Sequence, residues 1–312
     1  MKLIIQMPCY NEEQTLGIAL SALPRTVPGF DKVEWLIIND GSTDKTVEVA
    51  RAHGVDHIVD LGGHRGLAQG FLAGLEAALR AGADVIVNTD ADNQYEAQDI
   101  PKLVAPILAG EAEIVIGERP ISEIEHFSPV KKMLQRLGSW VVRIASATDI
   151  PDAPSGFRAI SREAAMRMNV FSPYTYTLET IIQAGQKGMH IVSVPVRTNP
   201  FLRPSRLMKS MGAYIKRSIF TIVRIFMSYK PLRFFTVCGT VPFAAGFAIG
   251  VRWVLLFLQD PTRAHVPSLI LAAILILIGV QLWIFGLIAD VIAVNRKLLE
   301  DIQLRVRRME LK

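Results

Sequence analysis

The chain holds two cysteines in 312 residues, Cys9 and Cys238, in unrelated surroundings. They can build neither a disulfide framework nor a thiolate metal cluster, so a reducing compartment is the default. No internal repeat or low-complexity tract stands out. A large excess of one sign of charge is also missing. Lys and Arg number 34 against 29 Asp and Glu, a net +5, and much of the basic excess gathers at 209–233 and 296–312, beside apolar segments. That placement points to an anionic membrane surface and away from nucleic acid. The opening MKLIIQMPCYNEE carries an apolar run too short for a secretory signal and reads as a first strand. Long apolar runs are missing before Pro231; two follow it, and they account for a hydrophobic share of 50%.

Strand and helix patterns alternate through the first half. Strands are expected at 3–7, 35–39, 57–61, 85–89, 113–117 and 191–196. Helices are expected from Asn11-Glu12-Glu13, over 46–54, after the GGHRG turn at 62–66, and at 100–109, 129–147 and 178–185. The stretch 147–162 reads as a loop and 199–206 as a proline-bearing linker. Runs of β-branched residues separated by helices predict a mostly parallel sheet covered on both faces, with ligands beyond the carboxyl ends of the strands.

Residues 207–228 mix Lys and Arg with large apolar residues at helical spacing, which suits a helix lying in the membrane interface or one packed on the catalytic unit. Segments 234–258 and 268–294 each exceed the roughly 20 residues a helix needs to cross the hydrocarbon. Arg252 and Asp290 lie near segment ends, where they can snorkel. Basic flanks at Lys230, Arg233, Arg296 and Lys297 predict an integral protein of the inner or plasma membrane, with both termini and the catalytic domain cytosolic. The expected organisation is a cytosolic α/β domain (1–204), a juxtamembrane amphipathic helix (205–230), a two-helix transmembrane hairpin (231–296) and a basic tail or helix (297–312). Gly239, Gly246, Gly250, Gly279 and Gly286 permit close helix packing, and self-association into a homo-oligomer is expected.

The stretch VIVNTDADNQ (85–94) places Asp90 and Asp92 together where a buried strand ends. Asp is poor in strands, and like charges this close repel unless neutralised. A divalent cation neutralises them, and Asn93-Gln94 adds oxygen donors suited to Mg²⁺ or Mn²⁺. A D-x-D alone is also a helix N-cap. Asp40, after WLIIN, can accept hydrogen bonds from a base or ribose and also suits a turn before Gly41. Pro8, Tyr10, Asn11 and Glu12 end the neighbouring strand and offer a wall for a base. The GGHRG turn exposes amides before a helix, a weak phosphate-cradle signal, and His64 and Arg65 add positive charge there.

Pro8-x-Tyr10-Asn11-Glu12-Glu13, Asn39-Asp40-Gly41-Ser42-Thr43-Asp44 and Asp90-Ala91-Asp92, in that order and spacing, resemble the inverting family 2 glycosyltransferases. Ser155-Gly156-Phe157-Arg158, the Leu178-Glu179 helix and Val194-Pro195-Val196 narrow the resemblance to the polyprenyl-phosphate group, which includes dolichyl-phosphate mannosyltransferases and bacterial undecaprenyl-phosphate glycosyltransferases. The resemblance implies a GT-A nucleotide-sugar-binding domain that transfers a sugar, with inversion, from a UDP- or GDP-sugar to undecaprenyl or dolichyl phosphate. It implies Mg²⁺ or Mn²⁺ at Asp90, Asp92 and Gln94, and a nucleotide pocket of Pro8, Tyr10, Asn11, Glu12, Asp40, Asp90 and Ala91. Arg203, Ser205 and Arg206 fall where the family covers the donor diphosphate, Arg206 replacing a more usual Lys. Asp92, Arg119, Lys131 and Asp152 are the implied catalytic residues. Arg119 matches an Arg on the acceptor phosphate, Lys131 and Gln135 come from the following helix, and Asp152 lies in the acceptor loop. His64 stands where the family has Asn.

Two rivals are weighed against this. A processive polysaccharide synthase carries a Q-x-x-R-W segment and more spans; Gln135-Arg136 and Trp140 lack that spacing. A scaffold that binds nucleotide sugar without turnover need not keep the acid pair.

Overall fold

The computed structural model describes residues 1–120, 148–170, 176–200, 229–259 and 266–311, with isolated positions between 133 and 146 and between 220 and 227. Two compact units emerge: Met1–Ser218 together with Gln303–Lys312, and Ile219–Ile302.

In the first unit, strands β1 (Lys2–Cys9), β2 (Lys32–Asn39), β3 (His57–Asp60), β4 (Val85–Asn88), β5 (Ile114–Glu118), β6 (Arg158–Ser161) and β7 (Ile191–Pro195) form one sheet in the order β3-β2-β1-β4-β6-β5-β7. Residues 3–7 of β1, 33–39 of β2 and all of β4 are buried without alternation, as strands covered on both faces must be. The mostly parallel sheet is as expected. The exception is β6, which runs antiparallel to both β4 and β5. Its residues were expected to lie in a loop. Four residues, one of them an arginine, give too short and too polar a run to register as a strand, and its place comes from pairing with β4 about 70 residues earlier.

The helices are α1 (Leu16–Ala22), α2 (Thr46–Ala52), α3 (Leu67–Arg80), α4 (Ile100–Leu108), α5 (Arg162–Arg167) and α6 (Thr177–Gln186). The helix expected to open at Asn11-Glu12-Glu13 starts later. Asn11 is left-handed (φ 55°), and the Glu12 carbonyl accepts from Thr15 and Leu16 N–H. α5 was not anticipated; the Ser161 hydroxyl caps it by accepting from Ala164 N–H. Arg307 donates to the Met166 and Met168 carbonyls at the end of α5, and Arg308 pairs with Glu163.

α3 lies close to the sheet because Gly74 faces it. A Cβ there would stand 2.5 Å from Gln6 Oε1 and 2.7 Å from Ile38 Cδ1.

The second unit is built on α7 (Pro231–Gln259) and on α8 (Val266–Glu310) up to Ile302. At 29 and 45 residues, both are long and apolar enough to cross a membrane. The glycines expected to favour association are used inside this hairpin. Cβ atoms at Gly239 and Gly246 would stand 2.7 Å from the Gly279 and Ala272 carbonyls, and one at Gly286 would stand 3.0 Å from Phe235. Trp283 Nε1 donates to the Thr236 carbonyl at 3.2 Å across the same seam. Residues 207–219 of the expected interfacial helix lie outside the described residues.

Gly74→Ala should overpack the α3–sheet contact and cost about 2 kcal/mol. In thermal unfolding of the detergent-solubilised protein this reads as a fall in Tm of roughly 4–8 °C.

Candidate active site

The chain moves outward from β1 through β2 and β3 on one side, then returns to place β4 on the other side of β1. The carboxyl ends of β1 and β4 therefore flank a switch point, where sheets of this kind bind ligands. Asp40 N–H donates to the Cys9 carbonyl at 2.9 Å and Thr89 N–H to the Gln6 carbonyl at 3.1 Å, which brings the loops after β2 and β4 to the end of β1.

On the β1–β2 side the two expected loops are laced together. Asn11 N–H donates to Ser42 Oγ (3.0 Å), and Asn11 Oδ1 accepts from Thr43 N–H (2.8 Å). Glu12 N–H donates to Thr46 Oγ1 (2.8 Å), and the Glu12 carboxylate accepts from Thr15 Oγ1 (2.7 Å). Gly41 (φ 73°) has no room for a side chain, since a Cβ would stand 2.5 Å from the Gly63 carbonyl carbon and 2.6 Å from His64 N. That contact brings the GGHRG turn over Asp40. The buried carboxylate accepts from Arg65 N–H (2.6 Å) and Gly66 N–H (2.9 Å) at the start of α3, and His64 Nδ1 lies 2.9 Å away. Two amides of the turn expected as a weak phosphate cradle are thus taken up by Asp40, which also sits favourably near the positive end of α3. Tyr10 stacks on His64 at 4.1 Å. Pro8 lies beneath α3, 3.5 Å from where a Gly70 Cβ would be.

On the β4 side, Asp92 Oδ1 accepts from Gln94 N–H at 3.2 Å, and Asn93 takes φ 54° to let the chain turn. Asn199, just past β7, clamps the turn from outside. Its N–H donates to the Gln94 carbonyl (2.9 Å) and its Nδ2 to the carbonyls of Asn93 (3.1 Å) and Tyr95 (3.3 Å). Behind Asp90 stands Gly156, where a Cβ would meet both carboxylate oxygens at 3.0 Å. Gly156 is held by two side chains of distant origin, one of them braced by two more. Its N–H donates to Tyr95 Oη (2.9 Å), its carbonyl accepts from Asn88 Nδ2 (2.9 Å), and Asn88 is oriented by Gln6 Nε2 (2.9 Å) and Tyr176 Oη (2.9 Å). Tyr95, Asn88, Gly156, Tyr176 and Asn199 escaped assignment as site residues. Gly156 lies inside the Ser155–Arg158 motif and Asn88 and Tyr95 lie close to the acid pair, whereas Tyr176 and Asn199 leave no local signal.

Two arginines offset the acids. Arg119 grips the fully buried Asp152 through Nε (2.7 Å) and Nη2 (2.9 Å), and its N–H adds a third bond (3.2 Å). Its guanidinium lies 5.9 Å from the Tyr95 ring centroid. Burial works against its charge, but Tyr95, Asp152 and Asp90 outweigh that and hold its pKa above the ordinary value. Arg158 is 1% exposed and donates to the Ser155 (2.7 Å) and Ala153 (3.0 Å) carbonyls. Burial lowers its pKa, and the acids Asp152 and Asp90 act against that.

Asp90 is pushed up to about 7, first by burial and then by Asp92, with Arg119 and Arg158 pulling the other way. A divalent cation would relieve that repulsion. Asp90, Asp92 and the Gln94 amide oxygen make a hard-oxygen set that fits Mg²⁺ or Mn²⁺, with water or ligand oxygens supplying the rest. No cluster of three His, Cys, Asp or Glu side chains offers a metal site among the described residues. Lys131, Gln135, Arg203, Ser205 and Arg206 lie outside the described residues.

The raised Asp90 pKa has a defined sign. The folded state binds the proton more tightly than the unfolded state, so without a cation Asp90 makes stability decline as pH rises from about 4 to about 7. A cation must displace that proton, so Mn²⁺ affinity should fall up to tenfold per pH unit below about 7. Isothermal titration between pH 5.5 and 8 measures this.

Residues 4–168 match Glycosyl transferase family 2. An undecaprenyl-phosphate mannosyltransferase of Micrococcus luteus is 26% identical over 206 residues, covering 63% of this chain and 83% of its own. The glycosyltransferase AglJ of Haloferax volcanii is 27% identical over 299 residues, 92% of each chain. Among solved structures, glucosyl-3-phosphoglycerate synthase of Mycobacterium tuberculosis in complex with Mn²⁺, UDP and glucosyl-3-phosphoglycerate aligns with a TM-score of 0.58 at 19% identity, over 73% of this chain and 79% of that one. That likeness shows the GT-A fold. The family match spans more than half of the chain and takes in both acid-bearing loops, Arg119 and the Gly156 segment, and the chain belongs to glycosyl transferase family 2.

Proposed function

We propose that this glycosyltransferase moves a sugar, with inversion, from a nucleoside diphosphate donor to a polyprenyl phosphate at the cytosolic face of the membrane. The observation that carries this reading is the Arg119–Asp152 pair. A buried, charged guanidinium lies against the Tyr95 ring, directly after the acid loop, in a chain that also has two helices apolar enough to span a bilayer. A lipid phosphate is such a guanidinium's natural counter-ion. The named Micrococcus relative supports the same acceptor class, and the UDP held by the Mycobacterium structure supports a uridine or related donor.

Asp90, Asp92 and Gln94 would hold Mg²⁺ or Mn²⁺. When bound, the ion neutralises the donor diphosphate and makes it a better leaving group. Arg203, Ser205 and Arg206 cover the same diphosphate. Arg119 and Lys131 bind the acceptor phosphate and aim one of its oxygens at the anomeric carbon, on the face opposite the diphosphate. Attack along that line inverts the centre. The acceptor oxygen is already anionic at neutral pH, so no strong base is required. Asp152 spends its oxygens on Arg119 and acts as a positioning residue for it.

The reading is tested with membranes carrying the protein, radiolabelled UDP- or GDP-sugars and polyprenyl phosphate. The label should pass into a charged, chloroform-soluble product. Asp92→Asn should lower turnover about 100-fold or more, and Arg119→Lys should raise the acceptor KM about tenfold. A water-soluble or polymeric product, or tight donor binding with no product, would contradict it.

A further inference from the structure

Asp40 is the carboxylate expected to meet a nucleobase, yet it is already engaged. Its bonds to Arg65 and Gly66 N–H come from the backbone that leads into α3, and they hold that turn against the carboxylate. The third partner differs in kind. His64 is a side chain on a turn, 56% exposed, and its Nδ1 lies 2.9 Å from Asp40 Oδ2. The same imidazole stacks on Tyr10 at 4.1 Å with 26° between the planes, and Tyr10 is itself 39% exposed. A flat, nitrogen-edged ring thus covers an aromatic face and brings a ring nitrogen to a buried carboxylate.

A nucleobase carrying a ring N–H makes that same pair of contacts. Uracil N3–H and guanine N1–H can stack on Tyr10 and donate to Asp40. Cytosine N3 and adenine N1 present a lone pair instead, which a carboxylate repels. We infer that His64 is a placeholder for the nucleobase: it occupies the Tyr10 face and Asp40 Oδ2, and swings away when a nucleoside diphosphate with a ring N–H binds. The inference rests on the donor reading above and adds what competes with the base for the slot. Donor affinity is held below the intrinsic value of the slot by the fraction of molecules in which His64 has left.

The test uses the full chain in detergent with Mn²⁺ and measures affinities for UDP, GDP, CDP and inorganic pyrophosphate in the wild type, His64→Ala and His64→Phe. His64→Ala should tighten binding of UDP or GDP about tenfold, as expected when a competing ring contact is removed. Pyrophosphate, which has no base, should be unchanged. His64→Phe keeps the stacking partner but offers Asp40 nothing, so it should gain less. CDP should bind more weakly than UDP throughout. If His64→Ala weakens or does not change UDP and GDP affinity while they still bind, the placeholder is overturned and the donor reading stands. An equal gain for pyrophosphate, or CDP binding as tightly as UDP, overturns it as well. If pyrophosphate binds and no nucleoside diphosphate does, the donor reading falls with it.

Discussion

Two carboxylates one residue apart, at the end of a strand buried on both faces, resist each other, and burial sharpens that resistance. Much of the architecture around Asp90 and Asp92 answers this constraint. Gly156 leaves space for the Asp90 carboxylate, and Arg158 lies buried beneath without a carboxylate in direct contact among the described residues. Arg119 is held on the other side by Asp152. The arginines pull the other way but do not offset burial and the Asp92 charge together, and Asp90 stays well above the ordinary carboxylate range. A cation, and with it an anionic ligand, would relieve a site in this condition, as the proposed function requires.

In the proposed reaction the same logic extends to the acceptor. A phosphate approaching a diphosphate would meet repulsion of its own, and an arginine already desolvated and oriented is worth more against it than one that must be dehydrated on binding. The Tyr95 ring ties the two problems together. Its hydroxyl accepts from Gly156, and its ring lies beneath Arg119. The acid loop and the Arg119–Asp152 pair therefore share one support.

Much of this was legible in the sequence. β1, β2 and β4 are uninterrupted apolar runs, and the acids after them stand out because Asp has no reason to follow such a run without a task. β6 was hidden because Arg158 gives a four-residue strand a polar look, and the guanidinium's partners, the Ser155 and Ala153 carbonyls, appear only when the chain folds back. The sequence marks Asp40, but not its hold on the amides just before α3, since they lie 25 and 26 residues further on. Asn88 and Tyr176 meet across 88 residues, and Asn199 braces a turn more than 100 residues before it. No local pattern encodes such pairs. The glycines of α7 and α8 were visible as a small-residue set, but the sequence could not say whether their close approach was to each other or to another copy.

The most direct measurement is anomalous diffraction from crystals grown with Mn²⁺ and UDP. The account predicts one manganese peak at the Asp90–Asp92 loop, with the nucleotide bound beside it. A nucleotide bound with no manganese at that loop, or manganese ordered elsewhere in the domain, would contradict it.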